Sequence, residues 1–299
     1  MSDTLNPALA TPIDETESGT SLWADAYHRL LKNKMAVFGA VFLTVEVLVC
    51  FVGPFISPYG FEEQNLELSL MGPSFAHWMG TDTLGRDLLT RVMHGGRISI
   101  GVGFLASLVS VFVGILYGAA SGFIGGRTDN IMMRVVDVLY ALPFIFLVII
   151  LMVYFGRNIF LLFVALGFTQ WLTMARIVRG QVISIKEKEF VEAAYSMGIS
   201  TRSILIKHLI PNCWGPVIVY LTLTVPTVIL EEAFLSFLGL GVQAPMASWG
   251  TLISNGVEVM EIAPGNLIFP AMALALTLFS LNFLGDGLRD ALDPKGAKD

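Results

Sequence analysis

Residues 186–212 read KEKEFVEAAYSMGISTRSILIKHLIPN, a polar, charged stretch set between apolar runs long enough to cross a bilayer. Phe190, Ala193, Ala194 and Met197 recur at helical spacing and predict one small apolar face opposite Lys188, Glu189 and Glu192. Gly198 stands where such a helix would stop, because glycine enters the left-handed backbone region without a Cβ clash. Ser200 or Thr201 can cap a second helix running towards His208, and Pro211 marks its end or the start of the next span. The stretch is therefore expected to form a compact helical elbow between spans. From pattern alone two readings stand: an amphipathic loop lying on the lipid, or a docking surface for a partner in solution.

The flanking runs decide the class of protein. Of 299 residues, 55% are hydrophobic and only 14% charged, with mean hydropathy +0.71, which is too apolar for an ordinary soluble domain. The expectation is an all-α, polytopic membrane protein. Cys50 and Cys213 give neither a disulfide framework nor a metal spacing, and His28, His77, His94 and His208 are scattered without ligand spacing. No G-x-x-x-x-G-K-[ST] phosphate loop, no H-E-x-x-H helix and no recognisable Ser-His-Asp set occurs. No catalytic residue, cofactor or metal site is expected, and the chain should not split ATP itself.

Six spans are expected: 35–56, 98–123, 131–155, 159–175, 214–238 and 268–284. Ahead of them, residues 1–21 should be a disordered tail, with no signal-peptide pattern, and 22–34 an interfacial helix. Glu46 lies near the middle of the first span, where a carboxylate costs about 3 kcal/mol, so it should face protein, be protonated or meet a partner, with packing against another subunit favoured over a transport role. Residues 57–97 are placed outside, with 84–93 a surface helix carrying Asp87 and Arg91 as an exposed pair. Gly114, Gly118, Gly122 and Gly126 fall at intervals of four, forming a groove for close helix approach. Arg134 and Asp137 should satisfy each other, a gate or substrate role for Asp137 being the alternative.

In the fifth span Pro216 and Pro226 should bend the helix unless neighbours satisfy the freed carbonyls. Glu231 and Glu232 are about 100° apart and cannot share one direction. One could line a path while the other meets a subunit, or both could be structural. Residues 245–264 form an outer loop with Trp249 as an interfacial anchor, and Gly285 and Gly287 should end the last span. The membrane-spanning core is thus 98–288, with the elbow region at 176–212 and a charged tail at 289–299. Arg176, Arg179, Lys186, Lys188, Arg202 and Lys207 put the elbow in the cytoplasm, and counting outward puts both termini there too. Arg29, Lys32, Lys34, Arg127, Arg134, Arg289, Lys295 and Lys298 then fall inside, against Arg86, Arg91, Arg97 and Arg157 outside.

The wording of the elbow, Glu192-Ala193-Ala194, three residues, Gly198 and then Pro211, resembles the EAA loop of ABC importer permeases. His208 and Ile210 stand where the general family form has isoleucine and leucine, a departure typical of the peptide-permease branch. GTDTLGRDLLTRVMHGGRISIGVG (80–103), EEAFLSFLGLGVQAPMASWG (231–250, with Glu232 on the family's acidic position) and NFLGDGLRDALDPK (282–295) resemble further blocks of peptide and nickel permeases.

The resemblance implies a six-helix type I ABC importer permease in the bacterial inner membrane. It assigns Glu192, Ala193, Ala194, Tyr195, Met197, Gly198, Ser200 and Pro211 to a coupling helix that docks on an ATPase. The implied partners are a second homologous permease subunit, two ATP-binding cassette subunits that use the ATP, an extracytoplasmic peptide-binding protein, the peptide and membrane lipid, with no nucleic acid. MARIVRGQ (174–181) and HLIPN (208–212) lean towards oligopeptides over dipeptides or nickel. The rival class is a gradient-driven secondary transporter or channel working through Glu46, Asp137, Glu231 or Glu232, in which the elbow has no use.

Overall fold

A computed structural model describes residues 22–156 and 158–292. The tail expected at 1–21, residue Arg157 and most of the tail expected at 289–299 lie outside the described residues. The chain runs through α1 (Leu22–Lys32), α2 (Lys34–Ile56), α3 (Leu88–Ile124), α4 (Gly126–Tyr140), α5 (Phe144–Phe155) and α6 (Ile159–Lys186). It continues through α7 (Glu189–Ser196), α8 (Thr201–Ile204), α9 (Ile210–Asn212), α10 (Trp214–Phe237), α11 (Trp249–Glu258) and α12 (Gly265–Leu292). Among the described residues five helices are long and apolar enough to cross a membrane, and α4 with α5, bent by 79° at their junction, brings the number to six when the pair is counted as one span.

The most extensive helix pairing joins α3 to α6. Gly114, Gly118 and Gly122 form its seam against Met174, Ala175 and Arg179. A Cβ built on Gly118 would lie 2.3 Å from the Ala175 carbonyl oxygen and 3.0 Å from its Cα, so the two backbones touch. In lipid, where water drives no helix association, such backbone contact supplies the attraction. Gly126 does not extend the seam; it follows the turn at Gly125 and begins α4.

Towards the opposite end from the elbow, α3, α10 and α11 meet at Glu232, which is fully buried. Its carboxylate accepts hydrogen bonds from Ser99 Oγ at 3.0 Å and Ser236 Oγ at 2.6 Å, with Ser248 close by. Ser99 Oγ in turn accepts from the Trp249 backbone N–H at 3.2 Å, and Trp249 Nε1 donates to the Val92 carbonyl at 3.0 Å. Trp249 is therefore a packed core residue, which corrects the expected interfacial anchor; its indole N–H has a protein acceptor and needs no headgroup.

Several expected boundaries are corrected. Helix α3 begins at Leu88 because Asp87 Oδ2 caps it, accepting from the Thr90 N–H at 2.8 Å and hydroxyl at 2.7 Å. The pair expected between Asp87 and Arg91 is absent: both are buried, Asp87 also meets His77 Nδ1 at 2.9 Å, and Arg91 donates to Asp82, which holds Arg86 as well. The third span breaks because a residue before proline is kept out of the helical region, so α4 stops ahead of Leu142-Pro143. The helix of the fourth span, α6, runs on past the expected boundary to Lys186. Helix α10 continues unbroken through Pro226, which is buried. Gly285 and Gly287 do not end α12; they let it pack against Leu223 and Ala36. That last contact, with Arg289 and Leu292 beside Gly215 and Pro216, puts α1 and the end of α12 on the elbow's side.

Two outcomes follow for stability in detergent. Gly118→Ala should cost about 1–3 kcal/mol by overpacking, whereas Gly180→Ala on the exposed side of α6, with no neighbour within 4 Å, should be neutral or gain up to about 1 kcal/mol; thermal unfolding measures both. Glu232→Gln, which can still accept from serine, should be tolerated, while Glu232→Leu should cost about 1–3 kcal/mol by leaving buried hydroxyls unpaired.

Candidate functional site

The elbow is two short helices folded against the ends of long ones. In α7 the stop is a complete Schellman motif: the Ile199 N–H donates to the Ala194 carbonyl at 3.1 Å and the Gly198 N–H to Tyr195 at 3.0 Å. Gly198 has φ +76°, a conformation that a Cβ would strain. Ser200 occupies the N-cap of α8 without a side-chain cap bond. A widened turn over Leu205–Leu209 follows, closed by the Ile210 N–H on the Leu205 carbonyl. Pro211 gives the reason: it has no N–H, and in a regular helix its ring would crowd the Lys207 carbonyl. Asn212 Nδ2 takes up the His208 carbonyl at 2.6 Å before α10 begins.

Two faces result. Val191, Ala194, Ile204, Leu209 and Cys213 are buried in one apolar cluster with Ile115, Ala119 and Phe123 of α3 and Val178 and Val182 of α6. Burial pushes the Cys213 thiol up to about 11, leaving it an inert packing group at the joint. The other face is open: Met197 is 72% exposed and Phe190 45%, with Glu192, Ala193, Tyr195 and Gly198 beside them. The expected apolar face is thus corrected. Of Phe190, Ala193, Ala194 and Met197 only Ala194 packs inward, because α7 is rolled so that Val191 points down with it. Val191, Ile204 and Leu209 were missed by the pattern; their recurrence across the glycine stop is visible only once the two short helices fold together.

The base beneath is cross-tied. Arg179 donates to both Asp129 oxygens at 2.5 and 2.6 Å, Ser121 Oγ donates to the same carboxylate at 2.5 Å, and Lys186 Nζ reaches the Phe123 carbonyl at 2.7 Å. These bonds join α3, α4 and α6 where the elbow leaves them. The Arg134–Asp137 pairing is corrected: Asp137 accepts from Arg176 Nη2 at 2.8 Å, since α6, not the next turn of α4, faces it. Glu46 lies against Thr277 of α12 within the chain. Glu231 and Glu232 diverge as their spacing requires, Glu231 towards Gln170 of α6 and Glu232 into the buried node. Among the described residues no three of His, Cys, Asp and Glu converge on one point.

Residues 110–298 match the family described as binding-protein-dependent transport system inner membrane component. Residues 21–73 match the N-terminal TM domain of oligopeptide transport permease C. The oligopeptide transport system permease protein OppC of Haemophilus influenzae is 51% identical over 290 residues, covering 96% of this chain and 93% of that protein. The dipeptide transport system permease protein DppC of Bacillus subtilis is 48% identical over 274 residues, covering 91% and 85%. The glutathione transport system permease protein GsiD of Pectobacterium atrosepticum is 37% identical over 289 residues, covering 96% of each. A chain of the inward-facing MetNI methionine ABC transporter shares the fold at TM-score 0.55 and 19% identity, over 68% of this chain and 96% of that one. The chain therefore belongs to the family of binding-protein-dependent transport system inner membrane components, as a multi-pass permease subunit of an ABC importer with the type I permease fold.

Proposed function

We propose that this subunit forms half of the membrane path for peptides, oligopeptides foremost, and takes its energy from ATP split on partner subunits through the 186–212 elbow. The peptide reading draws on the oligopeptide, dipeptide and glutathione systems named for its relatives, all of which share amide-linked cargo. The single observation behind the coupling reading is the elbow's division into a buried root and an open apolar prong of Phe190, Ala193 and Met197 flanked by Glu189, Glu192 and Arg202. An apolar centre with a charged rim is the composition of a protein-docking patch.

In this reading the positive charge around the elbow sets it in the cytoplasm, and both termini with it. A second homologous permease completes the path, two ATP-binding cassette subunits seat the elbows, and an extracytoplasmic binding protein delivers the peptide. Closure of the ATPases would move each elbow, and the buried root would pass that displacement to α3 and α6 together. The chain itself binds no cofactor in this scheme.

Ala193→Arg, at an exposed Cβ, should leave membrane insertion and detergent stability unchanged while the ATPases are lost on co-purification and peptide uptake stops. Glu192→Lys should act in the same direction. Undiminished co-purification with either variant would contradict the coupling reading, and uptake that persists in vesicles stripped of the ATPases would favour a gradient-driven mechanism.

A further inference from the structure

The packing of α6 on α3 leaves a second set of its side chains open. Gln170, Thr173 and Arg176 succeed one another at three-residue spacing and form a winding stripe about 9 Å long, away from the buried Met174, Ala175 and Val178. Each meets a polar group from another helix. Gln170 Nε2 donates to both oxygens of Glu231 on α10, each at 3.0 Å. Thr173 faces the Tyr220 hydroxyl of α10. Arg176 holds Asp137 of α4 at 2.8 Å and lies 4.6 Å over the ring of Tyr140.

None of this is sealed. The Arg176 and Asp137 side chains are 42% and 59% exposed, and Gln170, Thr173, Tyr220 and Glu231 are half-buried. At its elbow end the stripe meets a cleft of about 530 Å³ between α6, α10 and α12, lined by Ile177, Pro216, Tyr220 and Arg289 among others.

Surfaces of this chain that suit lipid look different. Helix α5 presents Phe146, Ile150 and Val153 outward, and α2 presents Phe38, Val41, Val45, Leu48 and Val52. A charged side chain turned to the hydrocarbon costs about 3 kcal/mol, so a face carrying two carboxylates and a guanidinium is not built for lipid. Its charges are of both signs and unequally satisfied. Arg176 and Asp137 compensate each other, whereas the hydrogen-bond partner of Glu231 among the described residues is the neutral amide of Gln170, so no ion pair within them competes with a cation from outside the chain.

We propose that the stripe of Gln170, Thr173 and Arg176, together with Glu231, lines the aqueous path and touches the passing peptide. Glu231 takes the ammonium end, and Arg176, released from Asp137, takes a carboxylate. This rests on the reading of the subunit as half of a peptide path.

The test uses the assembled importer in proteoliposomes. Native Cys50 and Cys213 are only 3% and 1% exposed, so this chain adds little background for thiol reagents, and the importer without the introduced cysteine gives the rest. Thr173→Cys and, independently, Gln170→Cys should react with a membrane-impermeant cationic methanethiosulfonate, and trialanine should slow the reaction. Val153→Cys on the apolar face should stay unmodified. Glu231→Gln should lower trialanine uptake about tenfold, the worth of one charge-assisted hydrogen bond, and leave N-acetyl-trialanine uptake nearly unchanged. If complexes that take up trialanine leave both cysteines unmodified, or if Glu231→Gln lowers uptake of both peptides alike, the proposal is overturned. A wild-type importer that couples ATP hydrolysis to uptake of another solute but takes up no trialanine would overturn the peptide reading, while cysteine modification would still report whether the stripe is wet.

Discussion

Backbone contact between α3 and α6 is the constraint on which the rest of the molecule depends. Gly118 faces the Ala175 carbonyl with no room for a methyl group, and Gly114 and Gly122 keep the same spacing one turn away on each side. Because the helices are locked there, their lower ends stay in register, and the Arg179–Asp129 pair, the Ser121 hydroxyl and the Lys186 ammonium can all close on partners at the same level. The root of the elbow, Val191 with Ala194, Ile204 and Leu209, then packs on a platform made by both helices. A displacement imposed on the elbow would be felt by the pair as one body.

Charge is handled differently at the two ends. Away from the elbow, Asp82, Arg86, Arg91, Asp87 and His77 are buried and mutually bonded, and Glu232 is wrapped by serine hydroxyls. Removing one partner of such a set leaves an uncompensated buried charge, so these groups act as registry pins that hold the 57–87 segment and α11 in one arrangement. On the outer face of the elbow the charges are open. Glu189, Glu192 and Arg202 stand beside exposed Phe190 and Met197, as suits a surface that meets another protein.

Hydropathy and helical spacing made the class of fold legible, because the thickness of the bilayer sets the length of an apolar helix whatever surrounds it. The glycine seam was legible for a similar reason: an interval of four is a property of one helix. What failed was whatever another element decides. Leu88 starts α3 because Asp87 caps it and is itself held by His77, ten residues upstream. Asp137 pairs with Arg176, 39 residues away, in place of the nearer Arg134. Trp249 is buried because Val92 offers its carbonyl across 157 residues. In the elbow, spacing indicated an apolar side to α7 but not how the helix would roll, which the cluster under Val191 settles. The break at Pro143 has its signal in the proline itself, but the uniform hydropathy on either side hides it.

The central claim is that the elbow is a lever facing a nucleotide-driven motor on the cytoplasmic side. The most direct measurement replaces Met197, 72% exposed on the prong, with cysteine and compares its reaction with an impermeant maleimide in intact cells and in inverted vesicles, with and without the ATPase subunits bound. The expected result is labelling only in inverted vesicles and only when the ATPases have been stripped away. Labelling from the outside of intact cells would contradict the account.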